Sequence, residues 1–336
     1  MRKMATIRKI DNVRPIEGAD AIECAQVGGW TVVIKKGEYQ PGDLAVYCEV
    51  DSWIPTEIAP FLSKGKEPRE FEGVKGERLR TVKLRGQLSQ GLLLKPADVM
   101  DAKQFTLAGL GGDVSELLNI KKYEPPLPAE LAGVAAGLFP SWMPKTDQER
   151  IQNLSAELDQ WRELEFEVTE KLHGSSMTVF LKDGQAGVCS RNYELRETDS
   201  NTLWRVARDQ GLIEGLQALG RDLALQGELI GFGLNGNQYK LSKQEFHLFD
   251  IYDIAAGRYL NAQERQEIAA QLRIPHVPVV STEQVGDRSI AELLAAAEGR
   301  SQLNGSPREG LVYKCTSDTA VSFKVISNAW LLKNDG

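Results

Sequence analysis

The sequence predicts an α+β protein in which a small β-barrel precedes an antiparallel-sheet domain. Three observations support this fold class. Short β-branched segments bounded by turn residues fill the first third of the chain, a proline-rich run follows, and strand and helix patterns are then mixed. At 336 residues the chain is long enough for about two domains, because single cores rarely grow past roughly 250 residues.

Residues 1–122 are predicted to form the barrel domain. The β-branched runs at 30–34 and 44–50 are bounded by turn residues at 28–29 and 41–43. Five or so short strands without a long amphipathic helix fit a small closed barrel such as an OB-fold, and an SH3-like barrel remains open. Further strands are predicted at 7–13, 79–83 and 91–95.

A proline-rich run marks the boundary between the two domains. Pro125, Pro126 and Pro128 cannot be accommodated inside a helix or a central strand, so residues 123–145 are predicted to be a linker. The second domain then occupies residues 146–336.

The second domain is predicted to begin with a helix and to continue as an antiparallel sheet with inserted helices. Thr146 and Glu149 have the spacing of a capping box, which predicts a helix from residue 146 to about residue 163. Asn261 and Glu264 predict the start of a later helix in the same way. The predicted strands are 166–170, 175–182, 186–190, 225–232, 245–252, 309–315 and 320–326, and the later helices are 200–219, 261–272 and 289–298.

Composition excludes several classes of protein. A net charge of −7 argues against a protein that coats nucleic acid non-specifically, but it allows a locally basic groove. The four cysteines form no Cys-x-x-Cys pair and the three histidines lie far apart, so neither a zinc site nor a disulfide framework is expected. No stretch reaches the roughly 18 apolar residues that would cross a bilayer. A protein of the reducing cytoplasm, without a membrane partner, is expected.

The most informative position is Lys171, in the run Glu170-Lys171-Leu172-His173-Gly174. A lysine at the end of a β-rich segment, followed by a glycine turn, can act as a covalent nucleophile, although taken alone it is more commonly a solvated charge. Its interpretation depends on five further runs that follow in a fixed order. These are 190–192, 227–231, 246–252, 309–314 and 322–325.

Together, the six runs resemble motifs I, Ia, III, IIIa, IV and V of the covalent nucleotidyltransferase superfamily of ligases and capping enzymes. Within it, the chain is most similar to ATP-dependent RNA ligases that have an N-terminal OB-like domain. The features that carry this likeness are His173, the Phe-Asp-Ile run at 249–251, the run at 144–153 and the barrel placed before the transferase domain. The likeness covers nearly the whole chain and is sharpest after residue 140.

The resemblance implies ATP as the nucleotide and Mg²⁺ or Mn²⁺ as the metal. Lys171 would attack the α-phosphate and hold AMP covalently, and it must first lose its proton because a free lysine has a pKa of about 10.4. Glu228 and Glu309 would hold the metal, and Lys324 would supply positive charge to the phosphates. These four residues are the predicted catalytic group.

A wider set of residues is predicted to bind the nucleotide. Phe249 would stack on adenine, Gly174 would let the backbone turn close to the nucleotide, and Arg191 would contact the phosphates. His173 would contact the transferred phosphate or its metal, or else position the turn. The full set is Lys171, His173, Gly174, Arg191, Glu228, Phe249, Glu309, Lys314, Lys324 and Arg150.

Several of these residues also have a purely structural interpretation. Phe249 on an apolar strand is commonly part of a core, and Glu228 and Glu309 on short strands are commonly solvent-facing charges. Lys314 could be a solvated strand end rather than a phosphate contact. Arg150 could be an ordinary charge on the face of the predicted helix rather than a ligand of the ATP phosphates.

Motif V departs from the pattern of many RNA ligases, which have a Lys-x-Lys pair there. In this chain Val325 and Ile326 follow Lys324, so a second cation has to come from elsewhere, with Lys314 and Lys333 as candidates. In the first domain, residues 64–85 are rich in lysine and arginine but diluted by glutamates. That stretch is either a solvated loop or a surface that follows a phosphate backbone.

The sequence therefore predicts an ATP-dependent RNA ligase. Its expected partner is RNA, or an RNA-containing duplex, with 5′-phosphate and 3′-OH ends, joined at nicks in a repair role. No obligate protein partner is indicated. Two alternatives remain: a DNA ligase or capping enzyme with the same lysine chemistry, and a non-catalytic OB-fold protein that binds nucleic acid.

Overall fold

The computed structural model describes residues 2–124 and 133–334. The prolines of the predicted linker, at 125–128, lie outside the described residues, and the predicted domain boundaries remain predictions. In the described part of the chain, no helix is long and apolar enough to cross a membrane. Clustering of contacts gives two units, residues 2–124 with 152–155 and 331–334, and residues 133–151 with 156–330.

The first unit consists mainly of short strands. They are β1 (Ala5–Lys9), β2 (Asn12–Pro15), β3 (Ile22–Val27), β4 (Trp30–Lys35), β5 (Leu44–Cys48), β6 (Ser52–Pro55), β7 (Arg69–Phe71), β8 (Val74–Arg78), β9 (Val82–Leu84), β10 (Gln87–Ser89), β11 (Leu92–Leu94) and β12 (Lys121–Lys122), with helices α1 (Pro96–Val99) and α2 (Ala102–Ala108). The sheet orders are β2-β3-β4, β1-β5-β11 and β12-β6-β8-β7, and β9 pairs with β10. The strand predicted at 79–83 is wrong, because most of it connects β8 to β9.

A change of hydrogen-bond partner splits the strand predicted at 7–13 into β1 and β2. The N–H of Ile10 donates to the carbonyl of Asp43, just before β5, at 2.8 Å. The N–H of Asp11 donates instead to the carbonyl of Gln26 on β3, at 2.9 Å. The chain therefore passes from one sheet to another between these two residues, which an unbroken run of strand-forming residues does not reveal.

The second unit is built on longer strands. They are β13 (Ala135–Leu138), β14 (Glu149–Arg150), β15 (Glu165–Lys171), β16 (Ser175–Lys182), β17 (Gln185–Cys189), β18 (Tyr193–Leu195), β19 (Leu223–Gly231), β20 (Gln244–Asp253), β21 (Arg258–Tyr259), β22 (Val279–Gln284), β23 (Gly310–Cys315) and β24 (Ser322–Ile326). The helices of the remaining chain are α3 (Ser155–Leu158), α4 (Thr202–Asp209), α5 (Leu212–Leu219), α6 (Ala262–Leu272), α7 (Ile290–Ala297) and α8 (Asn328–Asn334).

Two sheets organise the second unit. One has seven strands in the order β13-β18-β17-β16-β19-β20-β21, and the other has five in the order β14-β24-β23-β15-β22. Their ladders are antiparallel except for the short pairing of β14 with β24. Such sheets with helices set between their strands confirm the predicted α+β class.

Apolar side chains hold each sheet rigid. Helices α4 and α5 share a buried core with the seven-stranded sheet, and the indole of Trp204 on α4 donates to the carbonyl of Leu195 at 2.9 Å. In the five-stranded sheet the ring of Phe323 stacks between Tyr313 and Trp161. The helix predicted at 200–219 is interrupted at Gly211, whose φ of 65° ends α4 before α5 begins.

The helix predicted from residue 146 to about residue 163 does not form. The chain there contains β14, a 3₁₀ turn at Ile151–Asn153 and the one-turn helix α3. The reason is tertiary: Arg150 pairs in parallel with Lys324 of β24, and backbone groups used in a sheet cannot also make helical hydrogen bonds. Arg150 therefore lies buried on a strand and not on an exposed helix face.

The start of α6 provides a test of the fold. Asn261 Oδ1 accepts from the N–H of Glu264, and Glu264 Oε2 accepts from the N–H of Asn261, both at 2.9 Å, so the predicted capping box is confirmed. Asn261→Ala should lower the free energy of unfolding by about 1 kcal/mol, because the N–H of Glu264 loses its side-chain acceptor. Urea unfolding measures the change, and Asn261→Asp, which keeps the acceptor, should lose less than half as much.

Candidate active site

The candidate site lies where the two sheets of the second unit meet. Lys171 is the last residue of β15, and a three-residue turn leads from it into β16 of the other sheet. Glu228 lies on β19, opposite Ser176 of β16. Glu309 comes directly before Gly310, which is paired with Lys171. The registers of the two sheets thus bring the predicted lysine and both predicted carboxylates together.

Lys171 and Glu309 form a direct ion pair. The Nζ atom lies 2.6 Å from Oε1, and the second carboxylate oxygen, Oε2, lies 3.4 Å from Nδ1 of His173. Glu309 is only 8% exposed, so water screens its charge poorly. It is therefore not the solvent-facing charge that a short strand commonly carries.

The charged groups of the site perturb one another's protonation. Burial lowers the pKa of Lys171, but the charges of Glu309 and Glu228 outweigh it, and the pKa lies above its ordinary value. Burial raises the pKa of Glu228 to about 7, and the charge of Glu309 adds to this effect. Burial opposes ionisation of Glu309 as well, yet Lys171 and His173 hold its pKa below the ordinary value. At neutral pH the lysine is charged and Glu228 is partly protonated.

Gly174 allows the turn between β15 and β16 to approach β19 closely. A Cβ atom at this position would lie 2.2 Å from the carbonyl oxygen of Leu229, so a larger residue could not fit without moving a strand. Burial is the main cause of the raised pKa of Glu228, and the nearby backbone of Gly174 opposes it. Glycine is therefore required here because a larger residue would collide with the backbone of β19.

Lys324 and Arg191 share a carboxylate that the sequence analysis did not single out. Asp147 lies 2.9 Å from Lys324 Nζ through Oδ1 and 3.4 Å from Arg191 Nη2 through Oδ2. The two predicted phosphate-binding cations thus come from different sheets and converge on one residue. In the sequence, only the position of Asp147 within the run 144–153 points to this residue.

Phe249 projects from a β-bulge on β20. Gln226 of β19 is paired with Asp250 and Gly227 with Leu248, so Phe249 has no partner in β19. A bulge re-aims the side chain of its extra residue. The ring is partly buried and packs beside an apolar cluster that includes Leu172. Its predicted contact with adenine remains a prediction.

Lys314 belongs to a buried charge network behind the bulge. Its Nζ lies 2.7 Å from Asp250 Oδ1 and donates to the carbonyl of Phe249 at 2.5 Å. Arg265 of α6 pairs with Glu167 and lies 3.9 Å from Asp250. Burial lowers the pKa of Lys314 to about 8, with Arg265 adding to the effect and Asp250 opposing it. Lys314 is thus not a solvated strand end. No local sequence pattern predicts that Arg265 and Glu167 join it.

A cavity of about 230 Å³ opens beside this network. It is bounded by residues 144–148, by the start of α6 and by the hairpin between β23 and β24, and Asp147, Asp250 and Lys314 all line it. Positively and negatively charged side chains therefore line the same cavity.

The carboxylates of Glu228 and Glu309 fit a hydrated divalent metal. Mg²⁺ is commonly bound by one or two carboxylates together with waters and substrate phosphates. The pKa of Glu228 is raised because burial and Glu309 disfavour its charge, and an added cation would relieve that cost. Within the part of the chain that the structure describes, no cluster of three or more His, Cys, Asp or Glu could hold a metal ion by protein ligands alone.

Family models match both parts of the chain. An RNA ligase model matches residues 164–326, and an OB-fold domain model matches residues 4–96. The second match confirms the OB-like domain that the sequence predicts, although its described strands form separate sheets and not one closed barrel. Comparison with curated proteins gives no significant match.

Solved structures of an RNA ligase from Naegleria gruberi are similar to the chain over its whole length. The structure with pyrophosphate is 48% identical with a TM-score of 0.92, and the match covers 100% of this chain and 99% of that chain. Two point mutants, one with ATP and Mn and one with AMP and Mn, are also 48% identical with TM-scores of 0.92 and coverage of 99% of each chain. The similarity therefore includes both predicted domains.

The raised pKa of Glu228 predicts a specific pH dependence of stability. Folding favours the protonated form of this carboxyl between its ordinary pKa of about 4.3 and about 7, so the native protein loses stability as pH rises through that window. Glu228→Gln has no such loss. Its free energy of unfolding should therefore rise relative to that of the native protein by at most about 1.4 kcal/mol per pH unit. Urea unfolding from pH 5 to pH 8 measures the difference.

The matched control is Glu17→Gln, because Glu17 is an exposed glutamate of the first unit. The free energy of unfolding of this control, relative to that of the native protein, should not change over the same pH range. If the relative free energy of unfolding of Glu228→Gln is also independent of pH, the site does not perturb the pKa of this carboxyl.

Proposed function

Because the chain belongs to the RNA ligase family, we propose that it is an ATP-dependent RNA ligase that joins a 5′-phosphate to an RNA 3′-OH through a lysyl–AMP intermediate at Lys171. The observation that carries the proposal is the position of this amine, 2.6 Å from Glu309 and within the field of Glu228. The similar ligase structures that contain ATP with Mn, and AMP with Mn, support ATP as the nucleotide.

The first step forms a phosphorus–nitrogen bond. The lone pair of Lys171 Nζ attacks the α-phosphorus of ATP, the bond from that phosphorus to the bridging oxygen breaks, and pyrophosphate leaves. The amine must lose its proton beforehand. Burial is the largest single influence on Lys171 and lowers its pKa, so neutralising the two carboxylates would free the amine to react.

Glu228 and Glu309 are the residues that would hold Mg²⁺ or Mn²⁺. When bound, the metal would neutralise their charge and offset the charge that builds up on the α-phosphate. The protein contributes the fixed geometry of these carboxylates, which the sheet registers and the close approach at Gly174 determine.

Lys324 and Arg191 are proposed to bind the phosphates of ATP. Both contact Asp147, so phosphate oxygens would compete with this carboxylate for the same cations. Phe249 is proposed to stack on adenine. Lys314 is better explained as a residue that positions Phe249, because it donates to the carbonyl of Phe249 and pairs with Asp250.

The later steps return Lys171 to its starting state. An oxygen of the 5′-phosphate attacks the phosphorus of the bound AMP, which breaks the phosphorus–nitrogen bond and leaves AMP joined to the 5′ end. The 3′-OH oxygen then attacks the 5′-phosphate and AMP departs. His173 is proposed to act near the transferred phosphate, with Glu309 beside its Nδ1 atom.

The lysyl–AMP intermediate is testable by radiolabelling. Protein incubated with α-³²P-labelled ATP and Mg²⁺ should retain label through denaturation, and acid should release it, because the bond is a phosphoramidate. Lys171→Ala should reduce labelling at least about 1,000-fold, since no other amine occupies this position. Lys182→Ala is the control, because Lys182 is a strand-end lysine paired with Asp183. Label retained by Lys171→Ala would overturn the assignment.

The proposed acceptor is a nick whose 3′-OH strand is RNA. The test compares two nicked duplexes that differ only in whether the last nucleotides of the 3′-OH strand are RNA or DNA. This comparison distinguishes the proposed acceptor from that of a DNA ligase. Sealing of the RNA nick should be at least about tenfold faster, which corresponds to about 1.4 kcal/mol of discrimination. Equal rates would contradict the acceptor while leaving the lysine chemistry intact, and labelling by GTP in place of ATP would indicate a capping enzyme.

A further inference from the structure

The segment between β19 and β20, residues 232–243, is a rigid loop. Asn235, Asn237 and Lys240 have φ angles of 43°, 49° and 55°, in the left-handed region that non-glycine residues rarely adopt. The side chain of Asn237 bonds both backbone groups of Leu241, at 2.9 and 3.1 Å. These contacts hold the loop in one conformation, and strained segments of this kind often occur at functional sites.

The loop is anchored to the catalytic turn. Asn235 Nδ2 donates to the carbonyl of Gly174 at 2.7 Å, and the N–H of His173 donates to the hydroxyl of Tyr239 at 2.7 Å. Both partners lie within three residues of Lys171. The loop therefore borders the place where the nucleic acid ends have to meet the bound AMP.

The outward side of the loop is both aromatic and basic. Phe232 is 67% exposed although its carbonyl is fixed by Gln244 Nε2 at 3.0 Å. Lys240 and Lys243 are exposed, and neither forms an ion pair with any described residue. Residues 231–244 contain no aspartate or glutamate, so the loop has a local charge of +2 in a chain of net charge −7.

We propose that loop 232–243 binds the nucleic acid at the strand ends. Phe232 stacks on a base beside the nick, and Lys240 and Lys243 contact backbone phosphates. The proposal rests on the function proposed above. An exposed ring on a rigid support loses little conformational entropy when a base stacks on it, and lysines without carboxylate partners can bind phosphate without breaking an existing pair. The absence of acidic residues in the loop favours a polyanion over a protein partner.

Phe232→Ala tests the stacking contact. It should weaken binding of a nicked duplex with an RNA 3′-OH strand about 5- to 150-fold, which is the range for one base–aromatic contact, and should raise KM for sealing to match. Phe232→Trp should restore binding, since any flat ring can stack. The matched control is Phe61→Ala, because Phe61 is a 59% exposed phenylalanine in the first unit. It should leave binding unchanged within about twofold.

A fluorescent base reports the stacking directly. With 2-aminopurine placed beside the nick, the native protein and Phe232→Trp should change its fluorescence, whereas Phe232→Ala should not. A merely structural role for Phe232 would lower thermal stability without this selective loss, so the melting temperature is measured for each variant.

Salt dependence tests the two lysines. The logarithm of the affinity falls linearly with the logarithm of salt concentration, and each phosphate contact contributes about 0.9 to the slope for a duplex. Lys240→Ser with Lys243→Ser should therefore reduce the slope by about 1.8. An unchanged slope, or binding by Phe232→Ala within about twofold of native, overturns the loop assignment.

The binding measurements use protein without bound AMP, so they remain decisive whichever way the ATP reaction turns out. Absence of a lysyl–AMP adduct in the native protein would overturn the proposed function. Adduct formation together with unchanged binding by Phe232→Ala would overturn the loop proposal alone.

Discussion

The ion pair between Lys171 and Glu309 is the interaction on which the rest of the site depends. A lysine amine is held 2.6 Å from a carboxylate that is almost completely buried. Glu228 lies close enough to help raise the pKa of the amine, and Glu309 in turn helps raise the pKa of Glu228. Removing one partner from such a pair would leave a poorly solvated charge, so the groups are stable only as a set. The same proximity matters for the proposed chemistry, because the carboxylates that stabilise the charged amine would have to be neutralised before it could act as a nucleophile.

The two sheets make this arrangement possible. Pairing of Lys171 with Gly310 places Glu309 beside the amine, and the close packing of Gly174 against Leu229 brings Glu228 from the other sheet. Lys324 of the five-stranded sheet and Arg191, from the turn between β17 and β18, likewise converge on Asp147. Lys171, Glu228 and Lys324 are thus fixed by strand pairing, and Glu309 directly adjoins a paired residue, which is the precision that the proposed attack on a phosphate requires.

Much of this could be predicted from the sequence, and the failures have identifiable causes. The order of the six motif runs, through its resemblance to RNA ligases, predicted that Lys171, Glu228 and Glu309 belong to one site, and the registers of the two sheets bring them together. The helix predicted at 146–163 failed since pairing with β24 overrode a good capping box. The network of Arg265, Glu167 and Asp250, and the bulge at Phe249, depend on contacts between distant segments, and no local pattern encodes these.

Glu309 and Glu228 hold the proton on Lys171 against the effect of burial. Competitive labelling of lysine amines across pH, read residue by residue by mass spectrometry, measures the pKa of Lys171 in the protein without nucleotide. We expect a pKa above the ordinary lysine value in the native protein and a clearly lower one in Glu309→Gln, where burial is opposed by Glu228 alone. The same pKa in both proteins would contradict it.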